Sequence, residues 1–224
     1  MDIAGNLSEL LGNIPPNVKL VAVSKTKPNE DILSAYNTGF RVFGENKAQE
    51  LNRKYLELPT DIEWHFIGHM QTNKVKYIAP FVSLIHGVDS FKLLKEINKQ
   101  AMKNDRAIDC LFQFHIATEA TKFGFDLEEV SGILDSEEFG ELKNIRICGV
   151  MGMATNISDT AIIRNEFRNL KNIFTSLKSN FFADQESFKE ISMGMSGDYR
   201  IAIEEGSTMI RIGSVIFGER NYAK

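Results

Sequence analysis

The chain has 224 residues, 43% of them hydrophobic and 25% charged, which is the balance of a folded globular protein and not of a disordered or fibrous one. Its 26 basic and 30 acidic side chains leave a net charge of -4, so there is no basic footprint for nucleic acid or for an acidic membrane surface. Five prolines and sixteen glycines are too few for a low-complexity tract, and no apolar run reaches the length of a bilayer span.

A helix is expected over residues 3–11, followed by Pro15-Pro16 and a buried strand over 18–24. Pro28 then suits a first helical position, with Glu30 and Asp31 in the first turn, Ile32, Leu33 and Tyr36 at helical spacing and Gly39 as the stop. The same strand-then-helix unit recurs. Strands are expected over 40–43, 62–67, 81–86 and 108–116, each followed by a helix, over 47–58, 72–79, 91–103 and 127–134. A strand over 145–151 precedes a long helix over 159–178, capped by Ser158 and striped by Ile163, Phe167, Leu170, Phe174 and Leu177. Strands over 188–193 and 208–212 follow, with short helices over 199–204 and near Val215.

Eight strand signals alternating with helices in this length fit an α/β fold, a single-domain (β/α)8 TIM-type barrel spanning 1–224 with an extra N-terminal helix. A Rossmann-like open sheet is the alternative, and it lacks a Gly-x-Gly-x-x-Gly turn after the first strand. Cys110 and Cys148 both lie in apolar runs and read as buried free thiols of a reducing, cytoplasmic compartment, and Asp2 and Glu9 stand where a secretory leader would want lysines.

In such a barrel the chemistry sits where strands end. The first strand runs into Lys25, whose amine would be partly shielded at the barrel mouth and able to form an imine with an aldehyde or ketone; the plainer reading is a lysine that snorkels to solvent. Strands seven and eight end in Ser196-Gly197 and Gly213-Ser214, small residues at helix starts that could cradle a phosphate dianion or be simple turns with caps. An imine-forming lysine facing a phosphate cradle suits a ligand carrying both groups, and pyridoxal 5'-phosphate (PLP) is such a ligand. His65 and His69 have helical spacing in a strand-and-turn context and no third partner, which argues against a metal site. His86, at the end of the fourth strand, reads equally as a core-edge imidazole.

The motifs Val21-Ala-Val-Ser-Lys25-Thr-Lys-Pro28, Phe43-Gly-Glu-Asn46, Trp64-His-Phe-Ile-Gly68, Gln71-Thr-Asn-Lys74, Gly149-Val-Met-Gly-Met153, Ser192-Met-Gly-Met-Ser196 and Gly206-Ser-Thr-Met-Ile-Arg-Ile-Gly-Ser214 cover essentially the whole chain. Together they resemble the PLP homeostasis protein family, whose fold is similar to the N-terminal barrel domain of alanine racemase. That resemblance implies Lys25 as the imine lysine, Ser196, Gly213 and Ser214 as phosphate holders, Arg211 facing the pyridine nitrogen, and Asn46 and His65 lining the cofactor's surroundings. It also matches Lys122 to a family lysine, which otherwise reads as a solvated loop residue. The chain departs from the family at His69-Met70, where Pro-Leu is more usual, and at His115-Ile-Ala117, where an asparagine leads.

An arginine beside the ring nitrogen disfavours its protonation and makes the ring a poor electron sink. The expectation is therefore a PLP carrier and regulator of cofactor supply without substantial turnover, with PLP-dependent apo-enzymes as recipients. A small PLP-dependent racemase is the alternative; it would need a second acid/base, for which His65, Tyr199 and Lys122 are the candidates. A cofactor-free aldolase using Lys25 on a phosphorylated sugar is a third. The chain ends soon after the last barrel segment, so the β-rich second domain of the racemases is expected to be absent and the protein to be a monomer.

Overall fold

Near-continuous apolar runs become parallel strands here because both faces of each strand are covered, one by the barrel interior and one by helices. A computed structural model describes residues 1–117 and 123–219. The strands are β1 (Lys19–Val23), β2 (Val42–Glu45), β3 (Glu63–Phe66), β4 (Leu84–Val88), β5 (Ile108–Gln113), β6 (Ile145–Met151), β7 (Glu190–Ser192) and β8 (Met209–Ile212). They form a closed parallel barrel in sequence order, and Lys19 to Ala22 of β1 pair with Met209 to Ile212 of β8 to shut it. The open-sheet alternative is thereby excluded.

The helices are α1 (Ile3–Gly12), α2 (Asn29–Tyr36), α3 (Ala48–Glu57), α4 (Val75–Ile78), α5 (Phe91–Lys103), α6 (Leu127–Leu134), α7 (Glu137–Gly140), α8 (Thr160–Asn180), α9 (Tyr199–Glu204) and α10 (Ser214–Phe217). Several boundaries differ from the sequence reading for local reasons. Pro28 precedes α2 in extended geometry (ψ 163°) instead of opening it. Asp159, not Ser158, caps α8, because its carboxylate accepts from the amides of Ala161 and Ile162. Residues 72–74 form a 3-10 turn ahead of the single turn of α4, and α7 was not anticipated; Ser136 caps it through the Phe139 amide.

Two cores result. The larger lies between barrel and helices and contains Phe43, Trp64, Phe112, Phe167 and Phe188. The smaller fills the barrel with Val21, Leu84, Leu111, Cys148, Met151 and Met209. Cys148 and Met151 face inward although three residues apart, because the β5–β6 register slips between Cys110/Ile147 and Leu111/Gly149 and leaves Cys148 as an extra residue. The slip sends Met153 into the interior cluster as well, at the mouth. Gly149 makes the slip possible: its φ is +151°, and a Cβ there would fall 1.8 Å from the Glu190 carbonyl oxygen on β7. Gly149→Ala is expected to lower the unfolding free energy by about 3 kcal/mol, from clash and backbone strain together. Urea denaturation measures it; a midpoint equal to that of the wild type would contradict the assignment.

Candidate functional site

Strand pleating orders the barrel interior into layers, and the layer at the carboxyl ends is unlike the one beneath it. Val23, Ile67 and Met153 close the apolar floor of a cavity of about 290 Å³, whose walls carry Lys25, Lys27, Asn46, Ser196, Gly197, Arg211, Gly213 and Ser214. This is the lower end of the volume range of small-ligand sites, so it suits a compact guest. Among the described residues, three cations and no carboxylate line it. A polyanion placed there would be attracted by all three.

Lys25 sits on a tight turn closed by the Lys27 amide donating to the Ser24 carbonyl (3.0 Å). Thr26, next to it, has φ +65°, a left-handed conformation that costs a β-branched residue about 1–3 kcal/mol. The atoms on either side of Lys25 are held from behind the barrel wall. Lys54 of α3, with no exposed surface, donates its amine to the Ser24 carbonyl (2.9 Å), to Glu45 Oε1 (2.7 Å) and to Glu50 Oε1 (2.8 Å). Ser24 Oγ donates to Glu45 Oε1 (2.6 Å), and the Thr26 amide donates to Glu50 Oε1 (2.7 Å). Burial pushes the Glu45 carboxyl up, against the pull of Lys54 and Ser24. The sequence gives no sign of this cluster, since Glu50 and Lys54 at i, i+4 look like any surface ion pair.

Beside the Lys25 turn, on the β8 side of the rim, Gly213 and Ser214 open α10, and next to them Ser196 and Gly197, past β7, precede α9. The Gly213 amide donates to Ser196 Oγ (3.4 Å), which joins the two loops. A Cβ at Gly197 would meet nothing within 4 Å, whereas at Gly213 it would lie 3.0 Å from the Val23 carbonyl oxygen. Lys27 binds this side to the Lys25 turn by donating to the carbonyls of Phe217 (2.6 Å) and Glu219 (3.1 Å).

Arg211, 4% exposed, donates to Ser192 Oγ (2.5 Å) and to the Gly152 carbonyl (3.1 Å), and its other three N–H groups make no hydrogen bond among the described residues. Burial lowers its pKa to about 10, so it stays charged at neutral pH. The expectation for His65 needs correcting. It does not line the cavity but lies 2% exposed in the barrel, because Ile67 occupies the mouth layer and the inward residue two positions earlier falls one layer down. His65 is joined to Arg211 indirectly, through His86 (Nδ1 to Nε2, 3.0 Å) and Ser192 (His86 Nδ1 to Oγ, 2.9 Å). Ser192 Oγ thus accepts from Arg211 and bonds His86 Nδ1, while His86 Nε2 bonds His65 Nδ1, one nitrogen of each neutral imidazole being a donor and the other an acceptor. Both imidazoles are neutral: burial, reinforced by the charge of Lys19, holds His65 at about 3, and burial with the neighbouring cations holds His86 well below the usual value.

The remaining candidates lie elsewhere. His69 pairs with Asp89 (2.8 Å) and stacks on Phe123 with centroids 4.2 Å apart. Tyr199 opens α9, and its hydroxyl accepts from Arg200 Nε (3.3 Å). His115 is exposed after β5, and Lys122 lies outside the described residues. Cys110 and Cys148 are buried and free.

A family model for the alanine racemase N-terminal domain matches residues 2–221. Curated relatives described as pyridoxal phosphate homeostasis proteins include one from Aquifex aeolicus (strain VF5), 41% identical over 205 residues with 91% of this chain and 88% of that protein covered. Another, from Homo sapiens, is 38% identical and covers 92% and 78%. The chain belongs to the pyridoxal phosphate homeostasis family of alanine racemase N-terminal domain proteins. Among solved structures of the family, PipY of Synechococcus elongatus PCC7942 is 33% identical and covers 96% of this chain and 100% of its own; it superposes with a TM-score of 0.90 without PLP and 0.86 with PLP bound. Alanine racemase from Bartonella henselae shares the fold at 15% identity and a TM-score of 0.71, with 60% of its chain covered.

The buried imidazoles give this family member an acid-sensitive core. A histidine held at about 3 when folded but near 6.5 when unfolded takes up its proton only on unfolding, so its contribution to stability falls as pH drops below 6.5. The slope is at most about 1.4 kcal/mol per pH unit for each imidazole. His65→Gln is therefore expected to flatten the decline in urea-unfolding free energy between pH 6.5 and pH 4.5. An unchanged slope would show that His65 is not held neutral.

Proposed function

We propose that the cavity binds PLP and that the chain acts in cofactor homeostasis, holding the aldehyde reversibly on Lys25 as a Schiff base and releasing it without substantial turnover. The observation that carries this reading is a wall of three cations with no carboxylate among the described lining residues, and a strand-end lysine in one cavity with two small-residue loops. The residues fit the group by a further sign: Asn46 lines the cavity, and its buried Oδ1 has no hydrogen-bond partner among the described residues, which leaves it open to a polar ring substituent.

PLP, when bound, supplies an electrophilic aldehyde and an electron-withdrawing ring. Lys25 presents the amine to it on a rigid turn. Ser196, Gly213 and Ser214 take the phosphate with hydroxyl and amide donors, and Lys27 adds charge nearby. Arg211, which donates to Ser192, would face the ring nitrogen with its remaining N–H groups and disfavour its protonation, which makes the ring a poorer electron sink. His65 acts only through His86 and Ser192. The recipients in this reading are PLP-requiring apo-enzymes, and the chain works as one cofactor-binding domain, a monomer in the cytoplasm, a setting that two buried free thiols suit.

Lys25→Ala is expected to abolish the visible absorption of the PLP-loaded protein and its trapping by borohydride, with the fold intact by circular dichroism. Absorption that survives the substitution removes Lys25 from its role. Incubating the loaded protein with several L-amino acids should give no sustained appearance of D-enantiomers by chiral chromatography; steady interconversion would overturn the carrier reading in favour of a racemase.

A further inference from the structure

We propose that Glu50, anchored by the buried Lys54, is a positioning residue that sets the direction of Lys25 by holding Thr26 in its left-handed conformation. The inference rests on the reading above that Lys25 is the PLP-binding lysine.

All three N–H groups of the Lys54 amine are engaged, by Ser24, Glu45 and Glu50, so the ammonium has one orientation open to it. That orientation fixes Glu50 Oε1 in turn, which accepts from Lys54 and from the Thr26 amide together. A buried ion cluster of this kind is a poor source of stability compared with apolar packing, and its better-attested use is to enforce one arrangement over others. What is enforced here is specific. In a tight turn whose third residue needs positive φ, glycine is the ordinary choice, yet threonine stands there at +65°. Such a residue stays in that region only while its surroundings hold it.

The hydrogen bond to the Thr26 amide comes from outside the turn, while the Lys27-to-Ser24 bond closes the turn from within. Lys25 lies between the two anchored residues, so the path of its side chain into the cavity follows from theirs. Glu45 contributes to the Ser24 side of the clamp, through Ser24 Oγ and Lys54.

Glu50→Met removes the acceptor while keeping the bulk, Glu50→Gln keeps an oxygen acceptor, and Thr26→Gly removes the need for restraint. Two readouts apply: the rate of imine formation after mixing with PLP, followed by absorbance, and amide hydrogen exchange at Thr26 in the ligand-free protein. Glu50→Met should slow imine formation about tenfold and speed Thr26 exchange by a similar factor. Glu50→Gln should stay near the wild type, and the double variant Thr26→Gly/Glu50→Met should recover imine formation to within about twofold. If Glu50→Met matches the wild type in both readouts, or the double variant remains as slow as Glu50→Met, the inference falls. A wild type that forms no imine defeats the PLP reading instead, and the exchange measurement then still decides whether Glu50 restrains Thr26.

Discussion

Everything at the cavity depends on the pairing of β1 with β8. Residues 19–22 and 209–212 are nearly the whole chain apart, and their parallel ladder closes the sheet. The closure places Lys25, just past the end of the first strand, beside Arg211 and Gly213, on and just past the last. Neither side is a site alone. In the proposed reading the first strand offers the amine, and the eighth the guanidinium and the small-residue turn that would take the phosphate. Gly213 shows how tightly the seam is drawn, since a side chain there would press on the Val23 carbonyl oxygen.

Below the mouth the barrel is filled unevenly. Apolar residues occupy most of the interior, but one polar thread of Arg211, Ser192, His86 and His65 crosses it. A buried hydrogen-bonded chain of this kind restrains the rotamers of its members. The arginine enters it only as a donor, to Ser192 Oγ and to the Gly152 carbonyl. The guanidinium at the mouth is thus held from below, as the neighbouring lysine turn is held from outside the wall by Lys54.

The sequence made the architecture legible because each strand is a short β-branched run and each helix has a periodic apolar face; the 13 residues of α5 and the seven of β6 match their expected bounds. Lys25, Ser196, Gly213 and Ser214 could be found because strand ends and small-residue turns leave local marks. What stayed hidden was orientation. His65 sits in a strand that does reach the mouth, but pleating puts Ile67 there instead, and a one-residue slip at Cys148 alters which side chains of β6 look inward. Lys54 was invisible for a different reason: only tertiary packing distinguishes a solvated lysine from one with no exposed surface, because both occupy the same helical spacing.

The two thiols lie in neighbouring strands but on opposite sides of the sheet, Cys110 towards the helices and Cys148 towards the interior. Burial raises the first well above its ordinary range and pushes the second up to about 12, so neither supplies a meaningful fraction of thiolate at neutral pH. An aldehyde bound in the mouth as proposed would therefore meet no cysteine thiolate of this chain able to intercept it as a hemithioacetal.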